Sequence, residues 1–271
     1  QISLALPICP VVHIYSTRKT MDLIENLIQI SIAGYQKLKN TKIGSTLTIY
    51  LSEHIHQSKG FNMKEVFIYD AIRTPRGRGR KDGSLHEVTA LALSTTVLNN
   101  IKKRNELDGH SIDDVIWGNV TQIGEQGACL ARTAVLTSEL DENVPGISIN
   151  RFCASGLEAV NLAANQIRGG AGNCYIAGGV ESMSRVPMSS DGGAVAVDPS
   201  FTMNNYFVPQ GISADLIATK YGFSRDQADE LAVESQKRAS IAWNEDRFSK
   251  SIVPVTDING LTILEHDEHI R

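Results

Sequence analysis

The chain of 271 residues has only four cysteines, Cys9, Cys129, Cys153 and Cys174, and they stand far apart, with no C-x-x-C and no interleaved His/Cys pattern. Such spacing argues against a disulfide scaffold or a zinc site and reads as free thiols in a reducing, cytoplasmic setting. Long apolar runs are missing too. The most apolar-rich stretch, residues 23–38, is interrupted by Glu25, Asn26, Gln29, Gln36 and Lys37 and is no bilayer span. The opening Gln1-Ile2-Ser3-Leu4-Ala5-Leu6-Pro7 lacks the basic start and apolar core of a secretory signal, and the scarcity of Arg in the first 62 residues argues against a mitochondrial presequence. Nor is there an excess of basic charge: a formal charge of −4 offers no general attraction to nucleic acid or anionic membrane. Phosphate-loop spacing, G-x-x-x-x-G-K-[ST], does not occur. The cation-rich run Arg73-Thr74-Pro75-Arg76-Gly77-Arg78-Gly79-Arg80-Lys81-Asp82-Gly83 has no interleaved aromatics for base stacking, so it reads as a solvated, strand-capping loop open to a partner subunit.

What is present suits a folded protein. At 42% apolar and 21% charged, the chain can bury the core of one large or two modest domains. Residues 1–62 differ in texture, with six basic residues against three acidic ones, and carry no motif. They are expected to be an atypical N-terminal extension, from a gene-boundary error or a fusion, holding at most a short surface or docking helix. The domain proper is expected to span residues 63–271.

From there the hydrophobic period alternates between strand and helix. Residues 65–72 read as a first strand. Over residues 87–104, Val88, Leu91, Ala92, Thr95, Leu98 and Ile101 recur at helical spacing, and Lys102, Lys103 and Arg104 suit a helix C-terminus. Strands are predicted at 114–120, 144–149 and 173–177, with helices at 128–137 and 155–168. A β-α-β-α-β order with right-handed crossovers predicts an α/β fold whose mostly parallel sheet is flanked by helices. Past Ser182 the texture turns loop-like. Helices are expected at 212–221 and, after the capping box Ser224/Gln227, to about residue 244, with strands at 252–255 and 261–264. Ala228, Leu231, Ala232, Ser235, Ala239 and Ala242 line the last helix as a small-residue face suited to close packing.

Cys153 falls where a strand breaks and a helix begins. There its sulfur would lie near the backbone N–H groups and positive dipole end of the helix, a setting that favours thiolate. The alternative is a small buried hydrophobe, which is the simple reading of Cys129 and Cys174. Gly178 and Gly179 read either as room beside Cys153 or as a plain turn after a strand.

The stretch Ile149-Asn150-Arg151-Phe152-Cys153-Ala154-Ser155-Gly156-Leu157-Glu158-Ala159-Val160, with Ile167 beyond, resembles the acyl-enzyme signature of the thiolase family. Asp70-Ala71-Ile72-Arg73-Thr74-Pro75, Gly124-Glu125-Gln126-Gly127, Ala177-Gly178-Gly179-Val180-Glu181-Ser182-Met183-Ser184, and the helix and tail over 221–255 agree in order and approximate spacing. The resemblance is nearest to bacterial-type acyltransferases of fatty-acid oxidation. It covers residues 64–271 and none of the extension. It implies that Cys153 accepts an acyl group from acetyl-CoA or a 3-ketoacyl-CoA, that Asn150 and Ser155 brace its turn, and that Gly156, Gly178 and Gly179 give room at the substrate. It also implies that residues 183–271 form an incomplete lid over the coenzyme A groove, that coenzyme A is a substrate with no separate cofactor or metal, and that the complete protein is a homo-oligomer.

Thiolases also carry a Gly-His-Pro histidine and a second cysteine near a glycine cluster, both in a homologous second half. None of His13, His54, His56, His86, His110, His266 and His269 precedes a proline, and no second Cys-Gly motif occurs. Three readings therefore stand: the N-terminal half of an acyl-CoA acyltransferase lacking its C-terminal half and inactive alone, a non-catalytic thiolase-like protein that binds acyl-CoA or a subunit, or an unrelated α/β protein with a structural Cys153. A half-enzyme should expose an apolar face where its twin would pack.

Overall fold

The computed structural model describes Val11–Val12 and residues 64–271 apart from Tyr206. Three parallel strands form the heart of the domain. Asp114–Gly118 (β3) lies between Gly146–Ile149 (β4) and Tyr175–Gly179 (β5), with Gly118 opposite both Ile149 and Gly179. Beyond β5 the sheet continues antiparallel through Val11–Val12 (β1) to Ala71–Ile72 (β2), giving the order β2-β1-β5-β3-β4.

Alternation along β3 explains the two layers of helices. Val115 and Trp117 point to one face, where Ala90–Arg104 (α1) and Leu130–Thr137 (α2) bury Val97, Leu98, Ile101, Ala131, Ala134 and Val135. Ile116 points to the other, against Ala159, Val160, Ala163, Ala164 and Ile167 of Ser155–Arg168 (α3). The fold is thus α/β with helices on both faces of the sheet.

Several expectations shift in detail. The first strand shortens to Ala71–Ile72, and Val11–Val12 stands between it and β5, paired with both. Two residues of the N-terminal extension therefore enter the sheet; the rest of it, including the helix expected over 23–38, lies outside the described residues. The buried face of α1 is also rotated from the one read in sequence. Ala90, Leu93, Ser94, Val97, Leu98 and Ile101 are buried, whereas Leu91, Ala92 and Thr95 are half-buried. Ser94 is buried because its hydroxyl donates to Ala90 O (2.8 Å) and accepts the indole N–H of Trp117 (3.2 Å), so the only polar atom of each buried group is satisfied.

The region after β5 packs differently. Ala194–Val197 (α4) and Pro199–Asn204 (α5) interrupt a stretch read as loop. Gln210–Tyr221 (α6) and Arg225–Asn244 (α7) appear as expected, and the Ser224/Gln227 capping box closes in both directions. Neither helix buries a residue completely. The small-residue face of α7 is not packed: Ala228, Leu231, Ala232 and Ser235 are exposed, and only Ala239 and Ala242 are half-buried. Ile212, Leu216, Tyr221 and Phe223 are exposed as well. Capping and the i,i+4 pairs Arg225–Asp229 and Arg238–Glu234 support α7 locally, without tertiary burial. The hairpin Val255–Thr256 (β6) and Thr262–Leu264 (β7) returns to the core, where Val255 packs with Leu85 and Leu93.

Candidate active site

The site forms where β3, β4 and β5 end together. After Ile149 the chain turns sharply into α3, and Phe152 takes a left-handed backbone conformation (φ 47°) that a bulky residue rarely adopts. Hydrogen bonds hold it there. Phe152 N–H donates to Asn150 Oδ1 (2.7 Å), and Asn150 Nδ2 donates to Val120 O (3.1 Å) at the end of β3. Arg151 N–H donates to Ser155 Oγ (2.9 Å), while that hydroxyl donates to Phe152 O (2.5 Å). Ser155 is itself buried. Cys153 is left exposed at the head of α3, and its sulfur has no hydrogen-bond partner among the described residues.

Cys153 faces a cavity of about 810 Å³, whose walls also include Leu85, Leu93, Val97, Val120, Gly156 and Val180. Gly179 lines it, but Gly178 does not; Gly178 is buried in register with Trp117. A tight fit between β3 and the head of α3 falls at Gly118, a residue with no role among the sequence expectations. A β-carbon there would lie 2.6 Å from Ser155 C and 2.7 Å from Gly156 N, and one on Gly179 would lie 2.3 Å from Gly118 O. Backbone meets backbone at both points, so glycine is what lets α3 sit directly on the strand ends. The signal in sequence is a glycine inside the strand predicted over 114–120, which marks a close approach of another backbone.

The cation-rich loop is solvated over residues 78–82, as expected, but Arg73 and Arg76 are partly buried. Arg73, Arg76, Arg78 and Arg80 line the same cavity, and acidic residues near the C-terminal end of the chain hold the loop from within. Asp267 receives a bidentate pair from Arg73 (2.8 and 2.9 Å) and the N–H of Arg76 (2.8 Å). Glu268 accepts from Arg78 N–H (2.7 Å) and Ser84 Oγ (2.6 Å). These two acids reach the loop because the chain returns through β6 and β7, a closure that local sequence pattern does not reveal. Arg76 Nε is buried without a hydrogen-bond partner among the described residues.

Burial pushes the Asp267 carboxyl upward, but hydrogen bonds from the Arg73 guanidinium and the Arg76 N–H outweigh it and hold it below the usual carboxylate range. A carboxyl depressed in the folded state contributes stability above its ordinary titration range, and that contribution disappears as pH falls through the folded value. Asp267→Asn should therefore destabilise the chain by about 2 kcal/mol at pH 7, with the gap to wild type closing below about pH 4. Urea midpoints at pH 7 and about pH 2 check this; an equal gap at both would refute it.

Glu181, immediately after β5, also lines the cavity, and its carboxylate accepts from Val120 N–H (2.7 Å), Thr121 N–H (3.2 Å), Asn119 Nδ2 (3.3 Å) and Gln126 Nε2 (2.9 Å). Two stretches 55 residues apart in sequence, around Gln126 and Glu181, thus meet at the site. Cys129 lies outside the cavity and is exposed, with its sulfur against Gly146 O (3.3 Å), and Cys174 is half-buried. Burial and the nearby Asp113 push the Cys174 thiol up. Among the described residues, no cluster of His, Cys, Asp and Glu could hold a metal ion, and no helix is long and apolar enough to cross a membrane.

Comparison with known proteins agrees with this architecture. Residues 66–271 match the family profile described as the thiolase N-terminal domain. The 3-ketoacyl-CoA thiolase of Colwellia psychrerythraea (strain 34H / ATCC BAA-681) is 39% identical over 215 residues, covering 77% of this chain and 55% of that protein. That of Shewanella sp. (strain MR-7) is 40% identical, covering 77% and 54%. The crystal structure of the Bacillus anthracis acetyl-CoA acetyltransferase superposes with a TM-score of 0.63 at 31% identity, over 74% of this chain and 54% of that one. The chain spans about half the length of the relatives it matches. A sheet with helices on both faces, a braced cysteine turn at its strand ends and a family match over three-quarters of the sequence lead to one assignment: the chain belongs to the thiolase family.

Proposed function

We propose that this chain is the acyl-accepting half of a coenzyme A-dependent acyltransferase of fatty-acid metabolism. The observation that carries the reading is the exposed thiol of Cys153, held at the head of α3 on the wall of a cavity with apolar and cationic sides. The Cys153 sulfur attacks the carbonyl carbon of an acyl-CoA thioester. The carbon–sulfur bond to coenzyme A breaks, the coenzyme leaves as its thiol, and an acyl-cysteine remains. One thioester replaces another, so the exchange costs little. Coenzyme A then takes the acyl group in degradation, and the carbanion of acetyl-CoA takes it in synthesis. Coenzyme A acts as substrate, with no separate cofactor, and free thiols at Cys129, Cys153 and Cys174 suit the cytoplasm.

A general base is needed to sustain turnover. His269 lines the cavity, but no hydrogen bond joins it to Cys153. The histidine and second cysteine of a C-terminal half would complete the site, and the exposed apolar residues of α6 and α7 suit covering by that half or by a second copy. The chain alone is expected to turn over acetoacetyl-CoA about 10²- to 10⁴-fold below a complete enzyme, the usual loss when such a group is absent. Robust thiolysis by the purified 271-residue chain would refute this.

A single acylation needs no turnover and tests the assignment directly. Incubation with acetyl-CoA should leave one hydroxylamine-labile acetyl group on the peptide containing Cys153. Binding of acyl-CoA without acylation would select the other reading, a non-catalytic acyl-CoA-binding or subunit-interaction protein. That no base among the described residues is hydrogen-bonded to Cys153 is the observation that favours that alternative.

A further inference from the structure

We propose that Glu181 is a positioning residue for the Cys153 turn, acting through one peptide group and Asn150; the inference rests on Cys153 being the acyl acceptor. The peptide between Val120 and Thr121 is gripped at both ends. Its N–H, that of Thr121, donates to Glu181 Oε1 (3.2 Å), and its carbonyl, that of Val120, accepts from Asn150 Nδ2 (3.1 Å). Asn150 Oδ1 in turn accepts the N–H of Phe152 (2.7 Å), the left-handed residue directly before Cys153. An N–H that donates to a carboxylate polarises its peptide and makes the carbonyl a stronger acceptor. Glu181 therefore places the Val120 carbonyl and strengthens its hold on Asn150, two links from the nucleophile.

The residues around Glu181 suit a carboxylate and no other side chain. Four donors converge on its two oxygens, the number that an ionised carboxyl can accept. A glutamine would turn an NH₂ toward two of those donors. The orientation of Gln126 is settled by its other contacts. Its Oε1 accepts Ser182 N–H (2.7 Å) and its Nε2 also donates to Thr121 O (3.0 Å), while the residue is fully buried. The whole group ties the end of β5 to the end of β3 beneath the Cys153 turn.

The test is the rate of iodoacetamide alkylation at each cysteine of the full chain, followed by peptide mass spectrometry across pH. In the wild type, Cys153 should react faster than Cys174, which lies at the opposite end of β5. Glu181→Gln should slow Cys153 about tenfold, leaving Cys174 unchanged, since alkylation depends on how the thiol is presented at the head of α3. The direction is diagnostic. Removing a negative charge near a thiol would by itself favour thiolate and speed alkylation, so a slower Cys153 reports lost positioning. Asn150→Ala, at an exposed residue with no change of charge, should slow Cys153 by a similar factor, and it decides the matter if Glu181→Gln does not fold. A wild-type profile at Cys153 in Asn150→Ala, or an equal or faster rate in folded Glu181→Gln, overturns the positioning role. A wild-type Cys153 no faster than Cys174 overturns the acyl-acceptor reading and this inference with it.

Discussion

Cys153→Ser is expected to remove acylation of the chain by acetyl-CoA altogether, a loss of about 10³-fold or more in single-turnover rate. The side chain keeps nearly its size, so packing is not at issue. Cys153 is exposed and its sulfur makes no hydrogen bond among the described residues, hence the variant should unfold at the wild-type denaturant midpoint. What changes is ionisation. A thiol supplies some thiolate near neutral pH and is intrinsically nucleophilic, whereas a serine hydroxyl needs a base to take its proton. Among the described residues no histidine is hydrogen-bonded to residue 153, and the exchange would no longer be one thioester for another. Intact mass after incubation with acetyl-CoA reads the result. An acetyl group retained at wild-type level in Cys153→Ser would place the acceptor elsewhere and remove the basis of the proposed function.

Gly118→Ala should destabilise the domain by about 3 kcal/mol, the upper end of ordinary overpacking, and should slow alkylation of Cys153. The added methyl would stand 2.6 Å from Ser155 C, 2.7 Å from Gly156 N and 2.9 Å from Ser155 O. These are backbone atoms at the head of α3, and no rotamer change can clear them. Relief requires α3 to lift from β3, which also strains the contacts of Ala159 and Ala163 with Ile116 on that face. Because Asn150 reaches Val120 across the same junction, lifting α3 loosens the turn that carries Cys153. Gly124→Ala provides a contrast, since a β-carbon there meets nothing within 4 Å, although its φ of 54° adds local backbone strain. Urea denaturation separates the two. A Gly118→Ala midpoint within error of wild type would show that the junction has slack.

The elements legible in sequence were those whose signals are local. Ser155–Arg168 and the capped Arg225–Asn244 stand within a residue of their expected limits, because a cap and a 3.6-residue period are written in neighbouring residues. The α1 burial face was harder to read. Apolarity favours Leu91 over Ser94, yet Ser94 is the buried one, through a partner on β3 that lies 23 residues away. The α7 stripe misled for the opposite reason: small residues permit close packing without supplying the surface to pack against, and among the described residues nothing covers Leu231.

The amino-acid sequence by itself determined the alternation of strands and helices, and it singled out Cys153 at a strand-to-helix break; the roles of Asn150, Ser155 and Gly156 beside it came from the resemblance to thiolases. Those features depend on periodicity, capping and adjacency, which act over a few residues. Only the tertiary structure decided which residues surround that cysteine. Gly118 and Gly179 meet because β3 and β5 lie in register, the Arg73–Arg80 loop becomes a cavity wall because Asp267 and Glu268 return to hold it, and Glu181 governs Asn150 through a peptide of another strand end. Each of these pairings joins residues 30 or more positions apart, and their energy comes from hydrogen bonds and close packing that exist only once the sheet has formed.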